Sequence, residues 1–363
     1  MKKNINDNIK PKGEKYYLNI RKKYKNEQFR YSLKIIIVII IILCLFYSFR
    51  KGKQKQEDIQ FEYFACFGGI VRLENLYIRD LISYYLSIGF EKFIIGDNNF
   101  PNVEKLSDVI QDYVNNGIVD IIEIFGSSIV QEKFYGIIYE KYKSKCAWIS
   151  FFDFDEYLRM FSDDNQIIPI KKYLSNEKFK KCESISFNWL IYSDNNLLYY
   201  DNRSVLERFP IPLYTNKENR LVKSIIRGNL KKKVFYKSSS HVPNKRLHIC
   251  NSMGKILKRY SQFYIKPPVL KNAYLMHFTT KTAGEFINKI KRGFLNVPYN
   301  ITDRIKYFFE INDFTEEKLK MFEKAFNRTF EQFVDYQKNN KISISMSHIN
   351  KMLIIISLIS LIF

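Results

Sequence analysis

Trp148-Ile149-Ser150-Phe151-Phe152-Asp153-Phe154-Asp155-Glu156-Tyr157-Leu158 is an apolar run that ends abruptly in three carboxylates. Side chains of a strand alternate between two faces, so the pattern predicts Asp153 and Asp155 on one side and Phe154 turned back into the protein. Two carboxylates converging at a strand end repel each other unless a cation neutralises them. Hard oxygen donors suit Mg²⁺ or Mn²⁺ bridging to substrate phosphates. A solvated strand end or a helix N-cap uses the same residues. The neighbouring elements decide between these readings.

Upstream, residues 61–71 read as a strand and 76–88 as a helix with apolar residues at 3.6-residue spacing, closed by Gly89. Residues 92–95 read as a strand running into Asp97-Asn98-Asn99, 106–115 as a helix, 119–124 as a strand, 131–142 as a helix, and 147–152 as the strand that reaches Asp153. Alternating strands and helices imply an α/β fold of Rossmann type: a mostly parallel sheet flanked by helices, with ligands at the carboxyl ends of its strands. Three such ends carry Arg72-Leu73-Glu74, Asp97-Asn98-Asn99 and Asp153-Phe154-Asp155-Glu156. Neither G-x-G-x-x-G nor a Walker sequence accompanies them. The second half is less regular, with a strand at 182–191 and helices at 285–292, 303–310 and 316–336.

At 363 residues the chain has ample length for a core, and its 46% hydrophobic and 16% aromatic content excludes a mainly disordered protein. The net charge of +22 is spread over nearly every segment, which argues against nucleic-acid binding and leaves an anionic membrane surface or a nucleoside diphosphate as partners. Residues 35–49 (IIIVIIIILCLFYSF) read as a transmembrane signal anchor behind a long basic leader. The larger basic excess before the anchor places the N-terminus in the cytosol, a single-pass type II arrangement. The organisation is thus a basic cytosolic tail at 1–34, the anchor at 35–49, a stem at 50–60, a catalytic domain at 61–340 and an apolar tail at 341–363. Cys66, Cys146, Cys182 and Cys250 fit either disulfides in an oxidising lumen or buried thiols, and Cys44 lies in the anchor.

FACFGGIVRLENLYIRDLISYYLSIGFEKFIIGDNN (64–99) resembles the opening of glycosyltransferase family 92, formerly a domain of unknown function, and of its family 2-like relatives. WISFFDFDEYL resembles their metal-binding strand, and SISFNWLIYSDNN, LERF, LVKSIIRG and HFTTKTAGEFINKIKRG resemble later blocks in the same order, covering roughly 61–293. Leu73 stands where the family usually has Asn, and Arg79-Asp80-Leu81 where it has Glu-Trp. The resemblance implies a GT-A fold, type II topology in the Golgi or secretory pathway of eukaryotic members, and a UDP-sugar donor. It also implies inverting transfer, often of galactose, to a glycan or glycoconjugate acceptor.

On that footing Asp153 and Asp155 hold Mn²⁺ or Mg²⁺, with His277 as third ligand and His241 as its rival. Arg72, Glu74, Asp97 and Lys281 contact the donor nucleotide. Asn188 and Trp189 line the acceptor side, where an indole face suits sugar C–H groups and an amide suits hydroxyls. The base that deprotonates the acceptor is read as Glu207, with Asp194, Glu156 and Glu183 as alternatives. Lys289, Lys291 and Arg292 read as a solvated basic helix face rather than as phosphate partners. Paired carboxylates also serve phosphoryl or nucleotidyl transfer, and a degenerate glycan-binding membrane protein is the non-enzymatic alternative.

Overall fold

In β1 (Tyr63–Val71) alternate side chains enter different cores: Ala65, Phe67 and Val71 pack on one face of the sheet and Cys66 on the other. Helices therefore cover both faces. On the first lies α2 (Asn75–Ser87), burying Tyr77, Ile78, Leu81, Ile82 and Tyr85, with α3 (Ser107–Asn115) beside it. On the second lies α4 (Gln131–Tyr142), burying Phe134, Tyr135, Ile138, Tyr139 and Tyr142. Gly89, at φ +93°, closes the turn after α2.

The computed structural model describes residues 12–52, 60–99, 102–124, 131–235, 241, 243–244, 246–257, 264–293, 300–327 and 329. The expected apolar tail at 341–363 lies outside them. Residues 1–60 and 61–363 form two separate units. The first contains α1 (Lys12–Gly52), a single helix of 41 residues. Within it Lys23–Leu45 is long and apolar enough to cross a membrane, so the helix extends well into the segment read as a cytosolic tail.

The remaining strands are β2 (Lys92–Asp97), β3 (Val119–Glu123), β4 (Cys146–Phe151), β5 (Glu156–Met160), β6 (Ser184–Ile191), β7 (Val222–Arg227), β8 (Ile249–Asn251) and β9 (Ala273–His277). They form one sheet in the order β3-β2-β1-β4-β7-β6-β9-β5, with β8 also on β6. The sheet is mixed but mostly parallel. β3, β2, β1 and β4 run together, as do β6, β8 and β9, while β7 is antiparallel to β4 and β6, and β5 to β9. That polarity brings the carboxyl ends of β1, β4 and β9 and the amino end of β7 to one edge.

Three short helices, α5 (Ile170–Leu174), α6 (Val205–Arg208) and α7 (Ala283–Arg292), precede a C-terminal pair, α8 (Ile301–Ile311) and α9 (Glu316–Phe326). α7, α8 and α9 enclose their own cluster around Phe286, Ile290, Phe308 and Phe322. Of the helix expected at 316–336, Glu316–Phe326 is observed and is capped by Asn327, left-handed at φ 49°; residues 330–336 lie outside the described residues. Disulfides join Cys66 to Cys146, between neighbouring β1 and β4, and Cys182 to Cys250, beside β6 and β8.

Candidate active site

The acidic stretch is a turn rather than a continued strand. β4 ends at Phe151, the backbone N–H of Glu156 donates to Asp153 O at 3.1 Å, and β5 begins at Glu156. Phe154 is turned inward even so: it is buried and packs edge-on to Phe67 at 5.4 Å. Gly69 permits this, because a Cβ there would lie 2.6 Å from the Phe154 ring.

Both carboxylates already have cationic partners. Asp153 Oδ2 meets Lys223 Nζ at 2.8 Å, and its Oδ1 accepts from Gln131 Nε2 at 2.8 Å. Asp155 Oδ2 accepts from Lys289 Nζ at 2.7 Å, and its Oδ1 faces His277 Nε2 at 3.4 Å. Burial alone would raise both carboxyl pKa values. Lys223 outweighs it at Asp153, and Lys289 with His277 outweighs it more strongly at Asp155, which lies well below the usual carboxylate range. Glu156 is the reverse case: fully buried, it is pushed well above its ordinary value by desolvation, and its Oε2 accepts from the Asp153 backbone N–H at 2.9 Å.

Lys223 reaches Asp153 because β7 runs antiparallel and begins at this edge, with Lys223 opposite Phe187 of β6. Its side chain is 1% exposed. Burial would lower its pKa, but Asp153 and Glu156 outweigh that and raise it. The sequence carried a signal, since a lysine inside an apolar strand is rarely buried without a partner. Lys289 corrects the reading of α7 as a solvated face. Glu285, Lys289 and Arg292 follow i, i+4, i+7 spacing and share one side of the helix. Arg292 Nη2 pairs with Glu74 Oε1 at 2.6 Å, and its Nη1 donates to the carbonyls of Arg72 and Leu73 at 2.7 and 3.1 Å.

A cavity of ≈ 80 Å³ lies alongside, lined by Glu74, Tyr77, Thr279, Lys281, Lys289 and Arg292 among others. Lys281 sits at its wall with Nζ 3.7 Å from Glu74 Oε2 and 3.7 Å from the centre of the Tyr77 ring. Burial lowers its pKa. The expected donor-side residues Glu74 and Lys281 thus come together, joined by Arg292 and by the backbone of Arg72. Leu73 adopts φ 54°, a left-handed conformation that Asn tolerates more easily.

Other sequence candidates are engaged elsewhere. Asp97 shapes its own loop by accepting from the N–H groups of Asn99 at 3.0 Å and Leu106 at 2.9 Å, so it does not present a free carboxylate to a nucleotide. Asn188 is buried, donates to the carbonyls of Asn219, Arg220 and Ile265, and accepts from Val269 N–H; it ties loops together and offers no amide to an acceptor. Glu207 is exposed and completes a capping box with Ser204 on α6. Hydrogen bonds from the Ser204 backbone and hydroxyl lower its pKa.

Asp194 pairs with the buried Lys318 at 2.7 Å, and Glu183 with Lys232 at 2.9 Å. Trp189 does reach the site: its ring lies 4.2 Å from that of His277 and 5.4 Å from that of His241. His241 Nδ1 contacts Val222 O at 3.0 Å, and burial together with the Lys223 charge lowers its pKa to about 4.

The donor set does not form a cradle for a divalent ion. All four oxygens of Asp153 and Asp155 face protein donors, two of them ammonium groups. Among the described residues no group of three His, Cys, Asp or Glu is placed to hold a metal.

No protein-family model matches the chain, and no curated protein matches it. Among solved structures it is similar to S. aureus TarS, with 13% identity over 72% of this chain and 49% of that one at a TM-score of 0.31. It is also similar to TarS 1–349, with 12% identity over 78% of this chain and 77% of that one at 0.31, and to the same segment in complex with UDP-GlcNAc, with 12% identity over 77% of each chain at 0.30. The chain spans about half the length of the longer TarS structure.

Proposed function

We propose that this chain is a membrane-anchored glycosyltransferase that moves a hexose from a UDP-sugar to a glycan acceptor with inversion. One observation carries the reading. Lys281, Lys289 and Arg292 gather with Glu74 around a cavity at the edge of the sheet where the parallel strands end, and Lys289 pairs with Asp155 beside it. In an open α/β sheet that edge is where ligands bind. A cationic cleft there suits a leaving diphosphate.

In the reaction the acceptor hydroxyl loses its proton to a base and its oxygen attacks the anomeric carbon. The bond from that carbon to the β-phosphate oxygen breaks, and its electron pair leaves on UDP. Negative charge grows on the diphosphate, so fixed cations lower the barrier. The choice of UDP, of galactose as the hexose, and of inversion rests on the resemblance of the ordered blocks between Phe61 and Gly293. α1 supports a single-pass anchor, and the two disulfides support placement of the globular part on an oxidising face, the Golgi lumen in a eukaryotic cell.

The test is incubation of the full chain in detergent with a panel of UDP-hexoses, with Mn²⁺ and with chelator, followed by product analysis. Release of UDP with free or transferred hexose is the expected result. Release of UMP with hexose phosphate would move the protein to phosphoryl or nucleotidyl transfer, and no turnover of any donor by a folded sample would sink the assignment.

A further inference from the structure

We propose that the site binds its nucleoside diphosphate without a divalent cation, and that Lys289 exchanges the Asp155 carboxylate for the β-phosphate of the donor. The inference rests on the transferase reading above and deepens it. Its basis is how the acidic pair is neutralised.

Lys223 and Lys289 supply one positive charge to each aspartate at 2.8 and 2.7 Å, where a metal-dependent site would need the ion. The two lysines differ in freedom. Lys223, 1% exposed and enclosed by β6 and β7, is fixed on Asp153. Lys289, 19% exposed, lines the cavity and lies on a helix whose next turn presents Arg292 to the same space. A lysine ammonium on a flexible four-carbon stem can shift between neighbouring anions with little rearrangement of the backbone.

Lys281 and Arg292 at the same wall share the Glu74 carboxylate, so Lys289, once released from Asp155, leaves the cavity with three cations against that one carboxylate, a net positive charge that suits a diphosphate. His277 remains on Asp155 when Lys289 leaves, so the carboxylate keeps one partner. Asp155 is then a positioning residue that holds the ammonium between turnovers, and Lys289 is the phosphate-binding residue.

The two ways of neutralising the pair make opposite forecasts for one substitution. If Asp155 ligates a metal, Asp155→Asn removes donor binding; if Asp155 only holds Lys289, the substitution releases the ammonium and binding persists. The experiment is calorimetric titration of UDP, GDP and CDP into the full chain in detergent, with Mn²⁺ and with chelator. It includes wild type, Asp155→Asn, Lys289→Met and Lys289→Arg, each shown by a cooperative melt to be folded.

The expected result is a UDP Kd with chelator within about threefold of that with Mn²⁺. Asp155→Asn binds at least as tightly as wild type. Lys289→Met binds about 10- to 100-fold more weakly, the usual worth of a hydrogen bond to a charged group, and Lys289→Arg recovers most of the loss. Binding that needs Mn²⁺ and disappears in Asp155→Asn would overturn the proposal while leaving the transferase reading intact. Failure of all three nucleotides under both conditions would overturn both.

Discussion

Glu156 follows the acidic pair directly and behaves as its opposite. Its carboxyl is buried behind the turn, receives the Asp153 N–H, and holds its proton well above the ordinary carboxylate range because desolvation outweighs the attraction of Lys223. An acid with a raised folded pKa stabilises the fold at low pH and loses that contribution as pH rises past the unfolded value of about 4.3. Glu156→Gln, which mimics the protonated acid, is therefore expected to match wild-type stability near pH 4 and exceed it by roughly 1 kcal/mol or more at pH 7. Urea melts across that range check this. A loss of stability at pH 7 would show that the residue is ionised against Lys223. The same burial explains why a third carboxylate in the motif misleads a reader of the sequence: nothing in DFDEYL tells which acids face solvent.

Much of the first half was legible because its signals are local. The periodicity of α2, the glycine after it and the alternation in β1 are set by neighbours a few residues away, and the expected boundaries of α4 agree with those observed. The short strands β5, β7, β8 and β9 were missed, since their partners are distant in sequence and three to six residues show little period. Asn188, Asp97 and Glu207 make hydrogen bonds of their own that the sequence shows unevenly. The partners of Asn188 are distant in sequence, whereas Asp97 bonds within its own loop and Glu207 within the Ser204-x-x-Glu207 capping box, a pattern the sequence does carry.

The LERF and HFTTKTAGEF blocks meet as α6 and the start of α7, where Arg208 Nη1 pairs with Glu285 Oε2 at 2.8 Å, both side chains nearly inaccessible. Glu285 also closes the capping box with Thr282, so this pair fixes the helix that carries Lys289 and Arg292. Arg208→Met leaves a buried carboxylate without its charge partner and is expected to cost about 3–5 kcal/mol at neutral pH. Burial raises the Glu285 pKa, but Arg208 and Thr282 outweigh it, and the net value is depressed. The stabilisation from that pair is present above the unfolded pKa and is lost as pH falls, so the penalty of the variant should shrink below about pH 4. A penalty that stays constant with pH would mean that packing, not charge, is what Arg208 contributes.

The two disulfides of the globular unit form only where thiols oxidise, which makes their presence in the cell a test of the topology proposed above. Cys66–Cys146 closes a separation of 80 residues and Cys182–Cys250 one of 68, whereas Cys44 in α1 is free. Constraining loops of this length removes unfolded-state entropy worth about 4 kcal/mol each in the chain-entropy model. Reduction should therefore destabilise the domain far more than any single surface change.

The thiol count is the direct check. Protein purified from membranes with alkylation before lysis, then denatured without reductant, should show one reactive cysteine, Cys44, and five after reduction, counted by mass. Five reactive thiols before reduction would place the domain in a reducing compartment and reverse the orientation read from the basic leader. One thiol, together with a melting temperature that falls sharply in reductant, would show that both bridges form in the cell and carry the stability of the sheet they join.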